Sequence, residues 1–371
     1  MDDLVSNPSL HHASTPLPMR RERPLDNTQG NRHMSLFQQP DRELILAGDI
    51  GGTKTHLALF SYQNNNLKAE FQKTYSSQEY SGLEPILQEF FATGKHPIGR
   101  ASFGIAGPLV DGKVNPPNLD WVVDPLSLAK TLELPSVSLL NDLEAAAYGI
   151  FTLTPDEFLV LNEGIVRRPG NKVLIAAGTG LGETIIFDDG KNYYPLASEG
   201  GHADFAARNE LEIELLRYLI GRFGRVSYER VVSGPGLANI YDFLKEKGGL
   251  SVPGPFAEKI AAAEDRSPLI SQAALAGAPE IAVQALDMFV SVYGAEAGNL
   301  ALKGKAIGGV YVGGGIVPKM LDKLKDGTLM QAFNDKGRYR ELVSSIPVYV
   351  VLNEKAALRG AAYHATLGRS G

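Results

Sequence analysis

The 371-residue chain contains no cysteine. That excludes disulfides, thiolate nucleophiles and Cys-ligated zinc, and nothing in the chain requires an oxidising compartment. A basic surplus is also missing. The 36 Lys and Arg face 42 Asp and Glu, a formal net charge of −6, so no surface is expected that neutralises nucleic-acid phosphates. A local anion site stays open, because backbone N–H groups can build one without net positive charge. No apolar run approaches the roughly 18 residues needed to span a bilayer. No GxSxG element points to a serine hydrolase, and no His/Asp/Glu cluster has convincing metal-ligand spacing. The expectation is a cytoplasmic protein with small-molecule partners, no nucleic-acid or membrane partner, and a homodimer as an open possibility.

Glycine, by contrast, is plentiful at 40 residues, which points to tight turns and to places where backbone must approach a ligand. Hydrophobic residues at 44% and charged residues at 21% give an ordinary globular balance. The length suits two domains, or one large α/β domain.

Residues 1–42 stand apart. Five prolines, five arginines and three histidines fall there with little apolar periodicity, so a disordered tail is expected. Arg20, Arg21 and Arg23 fit a targeting peptide, but Asp2, Asp3 and the lack of an apolar core speak against one. Met34 is a possible alternative start.

From Glu43 the chain alternates between apolar strands and amphipathic helices. Strands are expected at 44–48, 55–60, 101–106 and 136–140, with helices carried by Leu83, Ile86, Leu87, Phe90 and Phe91 and by residues near 126–134. A second round begins near Lys172, with strands at 173–177 and 184–187, helices at 209–222 and 236–246, and one long helical region at 271–303. Strands at 309–312 and 348–352 and a helix at 355–367 complete it. The segments LILAGDIGGTKTHLALF (44–60) and VLIAAGTGLGETIIFD (173–188) share one plan: apolar strand, Gly/Thr turn, apolar strand. A device used twice points to two similar domains facing one cleft.

The turns carry chemistry. In Gly48-Asp49-Ile50-Gly51-Gly52-Thr53-Lys54-Thr55, the glycines let backbone N–H groups approach an anion, and Thr53 adds a hydroxyl. Asp49 would repel a phosphate unless a divalent cation sits between them. The motif is not a P-loop, since GxxxxGK[ST] is absent there, and an ordinary Gly-rich β-turn is the plain alternative. Gly178-Thr179-Gly180-Leu181-Gly182 is a second such turn. Gly313-Gly314-Gly315 ends a further buried strand, either to admit a flat ligand such as adenine or simply to turn the chain.

Asn141-Asp142 closes a buried strand and precedes Leu143-Glu144-Ala145. Asp142 fits a helix N-cap. It fits equally a base that takes the proton of an attacking hydroxyl, because strand C-termini in open α/β sheets face the ligand crevice. Glu199-Gly200-Gly201-His202 brings a carboxylate and an imidazole together around two glycines, and Glu229 follows in Ser227-Tyr228-Glu229-Arg230. Taken singly, these read as well as a loop histidine and a surface glutamate.

The ordered set GDIGGTKT, LLNDLEAAA, AAGTGLG, SEGGHADFAARNELE, VSYERVVSGPGLANIYDFL, VYVGGGIVPKML and FNDKGRYRELVSSIPVYVV resembles the bacterial-type glucokinases, from about residue 43 to 371. These belong to the superfamily of actin, the heat-shock 70 ATPase and the sugar kinases. The resemblance implies an α/β fold of two ribonuclease H-like (actin-like ATPase) domains around a central cleft. A small domain would span 43–152, completed by a C-terminal helix at 353–371, and a large one 153–352. It implies ATP-dependent phosphorylation of glucose at the 6-hydroxyl with Mg²⁺. Asp142 would be the general base. Asn118, Asn141, Glu199, His202 and Glu229 would bind sugar hydroxyls. Asp49 would organise Mg²⁺ through water. Gly51, Gly52, Thr53, Gly178, Thr179 and Gly180 would flank the ATP phosphates, and Gly313, Gly314 and Gly315 would face adenosine. A related repressor/kinase family carries a Cys-rich zinc motif after its sugar-binding His, so the lack of cysteine favours the zinc-free branch. The rival readings are a kinase of the superfamily acting on fructose, mannose or an amino sugar, or using polyphosphate, and a non-enzymatic sugar sensor. The sensor would need a DNA-binding element that the tail does not show.

Overall fold

Period-2 alternation builds the first hairpin. In β1 (Leu44–Ile50) and β2 (Lys54–Gln63), Leu46, Ile50, Leu57 and Leu59 point to one buried face, while Ile45, Ala47, Ala58 and Phe60 point to the other. Both faces are covered, so both strands read as nearly continuous apolar runs. The computed structural model describes residues 43–368 apart from positions 65, 93, 95, 108, 117 and 248. The expected tail at 1–42 lies outside the described residues.

The first half continues with β3 (Asn66–Ser76), α1 (Leu83–Ala92), β4 (Ile98–Ile105), a short ribbon of β5 (Leu109–Val110) and β6 (Lys113–Val114), α2 (Pro125–Thr131), β7 (Ser138–Asn141) and α3 (Asp142–Gly149). The second half holds β8 (Phe158–Asn162), β9 (Lys172–Ala177), β10 (Leu181–Asp188) and β11 (Tyr193–Leu196). The helices α4 (Glu210–Phe223), α5 (Gly234–Glu246), α6 (Gly254–Ala262), α7 (Ser267–Leu275) and α8 (Glu280–Lys303) follow. After them come β12 (Gly309–Gly313), α9 (Leu321–Lys325), α10 (Thr328–Asn334), α11 (Arg340–Ser344), β13 (Val348–Val351) and α12 (Ala356–Thr366).

The internal echo seen in the sequence is an echo of topology. One sheet has the order β3-β2-β1-β4-β7, the other β11-β10-β9-β12-β13-β8. In each, a central strand pairs antiparallel with the strand after its Gly/Thr turn, and that strand pairs antiparallel with the next. On its other side, the central strand continues into two parallel strands. Antiparallel β8 extends the second sheet at one edge.

Two helices tie the sheets together. α12 lays Leu358, Ala361, Ala362 and Ala365 on β1 and β2. Leu143 and Ala147 of α3, with Ile150 and Ala356, pack on Leu174, Ile186 and Val351 of the second sheet. The second sheet's other face forms the largest core with α5 and α8.

Some elements differ from expectation. The helical region at 271–303 is two helices, α7 and α8, because Gly277 takes φ +77° and Pro279 cannot continue a helix. β3, β8, β11 and α6 carry no strong apolar period; β3 alternates exposed and half-buried residues along most of its length. Among the described residues no single helix is long and apolar enough to cross a membrane. α7 and α8 together are apolar, but they meet at a bend of 102° and face the core.

Candidate active site in the cleft between the sheets

β7 ends at Asn141, beside Ile105 of β4, and the chain turns directly into α3. The helix cap is Asn141, not Asp142. Asn141 is extended (φ −62°, ψ 149°), and its Oδ1 accepts the Leu143 N–H at 2.9 Å. Glu144 Oε2 accepts the Asn141 N–H at 3.0 Å, completing a capping box. Asn141 Nδ2 donates to the Gly107 carbonyl at 3.2 Å, so this side chain is engaged at both ends. Asp142 is the first helical residue. Its Oδ1 accepts the Leu143 N–H at 2.9 Å, and the carboxyl is also hydrogen-bonded to the Asn141 side chain. Burial pushes the Asp142 carboxyl above its ordinary range; the Leu143 N–H opposes this and the charge of Glu199 adds to it. Glu199 is thereby placed within electrostatic reach of Asp142.

Asp49 lies near the end of β1, opposite His56 of β2 and Gly104 of β4. Burial, and then the charge of Asp142, raise it to about 7. The turn that follows is fixed by its carbonyls. Ser77 Oγ donates to the Gly51 carbonyl at 2.7 Å, and the Ser77 N–H donates to the Thr53 carbonyl at 2.9 Å. Gly51 N–H closes the turn on the Lys54 carbonyl at 2.9 Å, with Gly52 between them and Thr53 exposed.

The second turn is held from both sides. Gly178 N–H donates to the Gly180 carbonyl at 2.8 Å, and Gly234 N–H, at the start of α5, donates to the Gly178 carbonyl at 2.9 Å. Thr179 is exposed at its tip. Glu229 Oε2 accepts the Leu181 N–H at 3.0 Å and lies so close to Gly180 that a Cβ there would sit 2.6 Å from it. His202 Nε2 is 3.9 Å from the same Glu229 oxygen, and Arg225 anchors the His202 carbonyl at 2.7 Å. The Glu199–His202 turn therefore sits on the start of β10. Gly201 has to be glycine because the Leu181 carbonyl occupies the position of its Cβ.

Two adjoining cavities share Gly315 and Lys319. One, of about 500 Å³, is lined by Asp49, Asp142, Gly313, Gly314, Gly315 and Asn353, among others. The other, of about 580 Å³, is lined by Gly178, Thr179, Gly234, Arg266, Ser267 and Ser271, among others. Two of the three Gly-rich turns and both carboxylates thus line adjoining cavities, whereas Gly51, Gly52 and Thr53 of the first turn line neither. Glu199, His202 and Glu229 line neither cavity; they are joined to the cavities through Asp142, Leu181 and Gly180. Asn118, exposed with φ +63°, lines neither. A separate polar cavity of about 670 Å³, lined by residues such as Arg208, Ser291 and Arg340, contains none of the predicted residues. Sequence reasoning missed Lys319, Asn353, Arg266 and Ser267. Lys319 carried a signal, a cation four residues past Gly315, whereas Arg266 and Ser267 sit in no motif. Arg266 is bonded to Asp242 at 2.7 and 3.0 Å.

The chain is similar to known sugar kinases over most of its length. The family model for Glucokinase matches residues 46–367. A curated glucokinase of Nostoc sp. is 41% identical over 334 residues, covering 86% of this chain and 98% of its own length. One of Synechocystis sp. is 42% identical over 342 residues, covering 86% and 96%. Among solved structures, the glucokinase from an Antarctic psychrotroph superposes with a TM-score of 0.78 at 29% identity, covering 88% of this chain and 99% of that one. The two-sheet α/β architecture is that of the actin-like ATPase sugar kinases. The chain belongs to the glucokinase family.

Proposed function

We propose that this chain transfers the γ-phosphoryl group of ATP to the 6-hydroxyl of glucose, with Asp142 as the general base. The observation that carries the assignment is the capping box at α3. Asn141 and Glu144 satisfy the helix start, so capping does not account for the carboxyl at Asp142, which is partly buried and raised in pKa beside the cleft. A carboxylate with raised proton affinity, held in place by hydrogen bonds at the helix start, suits acceptance of a hydroxyl proton.

In the transfer, the sugar oxygen bonds to the γ-phosphorus as the bond to the β-phosphate oxygen breaks. ADP leaves and the hydroxyl proton passes to the Asp142 carboxylate. Such a reaction needs positioning and charge neutralisation more than covalent help. With the Gly51 and Gly178 N–H groups closing their own turns, the turns at Gly51-Gly52-Thr53 and Gly178-Thr179-Gly180 would hold the phosphates through their remaining N–H groups and the Thr53 and Thr179 hydroxyls, with Lys319 as a nearby cation, and Gly313–Gly315 would face the adenosine. Glu199, His202 and Glu229 would read sugar hydroxyls. Asn141 could contribute only through bonding capacity not already used by the backbone, and Asn118 would do so only from an exposed loop.

A divalent cation fits the residues present. Asp49 is half-buried beside a second negative charge, lines the cavity and binds a proton near neutrality, and a metal charge would relieve both. Among the described residues no group of three or more ligating side chains forms a cage, which matches Mg²⁺ held by one carboxylate directly or through water together with substrate phosphates. When bound, Mg²⁺ would neutralise charge on the transferring phosphates. The small domain is proposed to comprise 43–152 with the C-terminal helix from 353, and the large domain 153–352. The packing of α12 on β1 and β2 supports this division. The reactants accord with a cytoplasmic enzyme.

The test is a coupled assay across glucose, fructose, mannose and N-acetylated amino sugars, each with ATP, ADP and polyphosphate. Glucose with ATP is expected to give the highest kcat/KM, by on the order of 100-fold over fructose, since a sugar that leaves buried acceptors unpaired loses about 1–3 kcal/mol at each. His202→Ala and Glu229→Gln should lose mainly efficiency on glucose. Equal efficiency on glucose and fructose in the wild type would leave only a general hexose kinase.

A further inference from the structure

Beneath the Glu199–His202 turn lies a pair of carboxyls that phosphoryl transfer does not use. Glu183, on β10, is 1% exposed, and its Oε1 has no hydrogen-bond partner among the described residues. Glu296, on α8, is fully buried and its charge acts on Glu183. Glu296 is well satisfied: Lys303 donates to its Oε1 at 2.9 Å and Asn299 to its Oε2 at 2.8 Å. Lys303 also favours a charge on Glu183, but its ion pair is with Glu296.

A second cation, Lys336, feels the charge of Glu296, but Glu183's charge is not among those that act on it, and burial and Arg208 hold its own pKa down. Tyr293, on α8, is within reach of Glu183's charge and shares its hydroxyl with the Ile175 and Gly313 carbonyls. The Tyr228 hydroxyl accepts from Asn299 at 3.0 Å and is bonded to Glu296. Both carboxyls are buried, and the ammonium that favours charge on each, Lys303, is half-exposed and paired, so the carboxyl without that partner bears the larger cost of ionising. The satisfied one is Glu296.

Glu183 also touches the sugar turn. A Cβ at Gly200 would lie 2.5 Å from Glu183 Oε2 and 3.0 Å from Glu183 Cβ. The backbone between Glu199 and His202 therefore rests directly on the Glu183 side chain.

We propose that Glu183 is a positioning residue: its protonated carboxyl supports the Gly200–Gly201 backbone that aims Glu199 and His202, and sugar affinity falls when the proton is lost. The inference rests on the reading of Glu199 and His202 as sugar ligands. Burial first, and then the charge of Glu296, raise Glu183 to about 7. The proton is held below that pH. Above it, a second buried negative charge appears beside Glu296, and the side chain or the turn above it has to shift to relieve it.

The test measures glucose binding by calorimetry without nucleotide, from about pH 6 to about pH 9, on wild type, Glu183→Gln and His202→Ala. Glutamine has the shape of the protonated acid and carries no charge, so the variant should fold. Wild-type affinity should weaken several-fold as pH rises through about 7, while Glu183→Gln should hold the tight affinity with a flatter profile. Its kcat, read separately, should follow the wild-type pH profile, because Asp142 is untouched. A Glu183→Gln binding profile parallel to wild type overturns the inference and leaves the kinase assignment standing. Unchanged glucose binding in His202→Ala overturns the sugar-site reading and this inference with it.

Discussion

Asp49 is costly to the fold, and the proposed chemistry gives it a use. Its pKa rises from an ordinary 3.8 to about 7 through burial and the charge of Asp142. An acid whose folded-state pKa is raised contributes stability that is full below its unfolded value and is lost as pH rises through the folded value. At about 1.4 kcal/mol per pKa unit, the effect is on the order of a few kcal/mol. Without Mg²⁺, Asp49→Asn is therefore expected to melt higher than wild type at about pH 8, with the gap closing towards about pH 4. The same variant should lose Mg²⁺-dependent turnover. Equal melting temperatures at both pH values, read by differential scanning calorimetry, would contradict this. Asp49 stood out in the sequence because an acid in a Gly/Thr turn is out of place there, and the structure puts it beside Asp142 at the cavity. Asp142 was legible only as an alternative between cap and base. Asn and Asp are adjacent and both cap well, and a one-residue difference in where the helix starts decides between them.

At the scale of elements, the hairpins β1–β2 and β9–β10 were plain in the sequence, because both faces of each are buried and the turns are rich in Gly and Thr. β3 was not, since an edge strand facing water carries Lys68, Glu70 and Lys73 in place of an apolar period. The contact between α3 and α12 was also invisible, because helix crossings leave little mark on local pattern. It depends on close approach at Gly360, where a Cβ would meet the Ala145 carbonyl and the Gly149 nitrogen. Gly360→Ala should push α12 away from α3 at a cost of about 1–3 kcal/mol, seen as a lower denaturant midpoint. A midpoint within error of wild type would show that the crossing has slack. The Glu199-Gly200-Gly201-His202 turn stood out in the sequence, but its contact with Glu183 did not. Nothing in GTGLGE signals that the glutamate is buried beneath a turn some sixteen residues further along.

At the scale of the whole molecule, two sheets of matching order face one space, as the repeated strand-turn-strand plan implied. Asp49 and Asp142 belong to the first sheet and the helix that follows it. Gly178–Gly180 and Glu229 belong to the second sheet and its flanking segments. Reactants held by both sides favour closure, with the α3–α12 pair packed against both sheets as the natural pivot. Small-angle scattering should give a smaller radius of gyration with glucose than without, and an unchanged radius would argue for a preformed cleft. The central claim is that Asp142 takes the proton in an ATP-dependent transfer to glucose, and its most direct measurement compares wild type with Asp142→Asn. Turnover is followed as glucose 6-phosphate formed, and glucose affinity is measured alongside by calorimetry. The account predicts glucose 6-phosphate from the wild type, with Asp142→Asn binding glucose similarly while turning over at least about 100-fold more slowly. No phosphorylated glucose from the wild type, or a variant within a few-fold of it, would contradict the account.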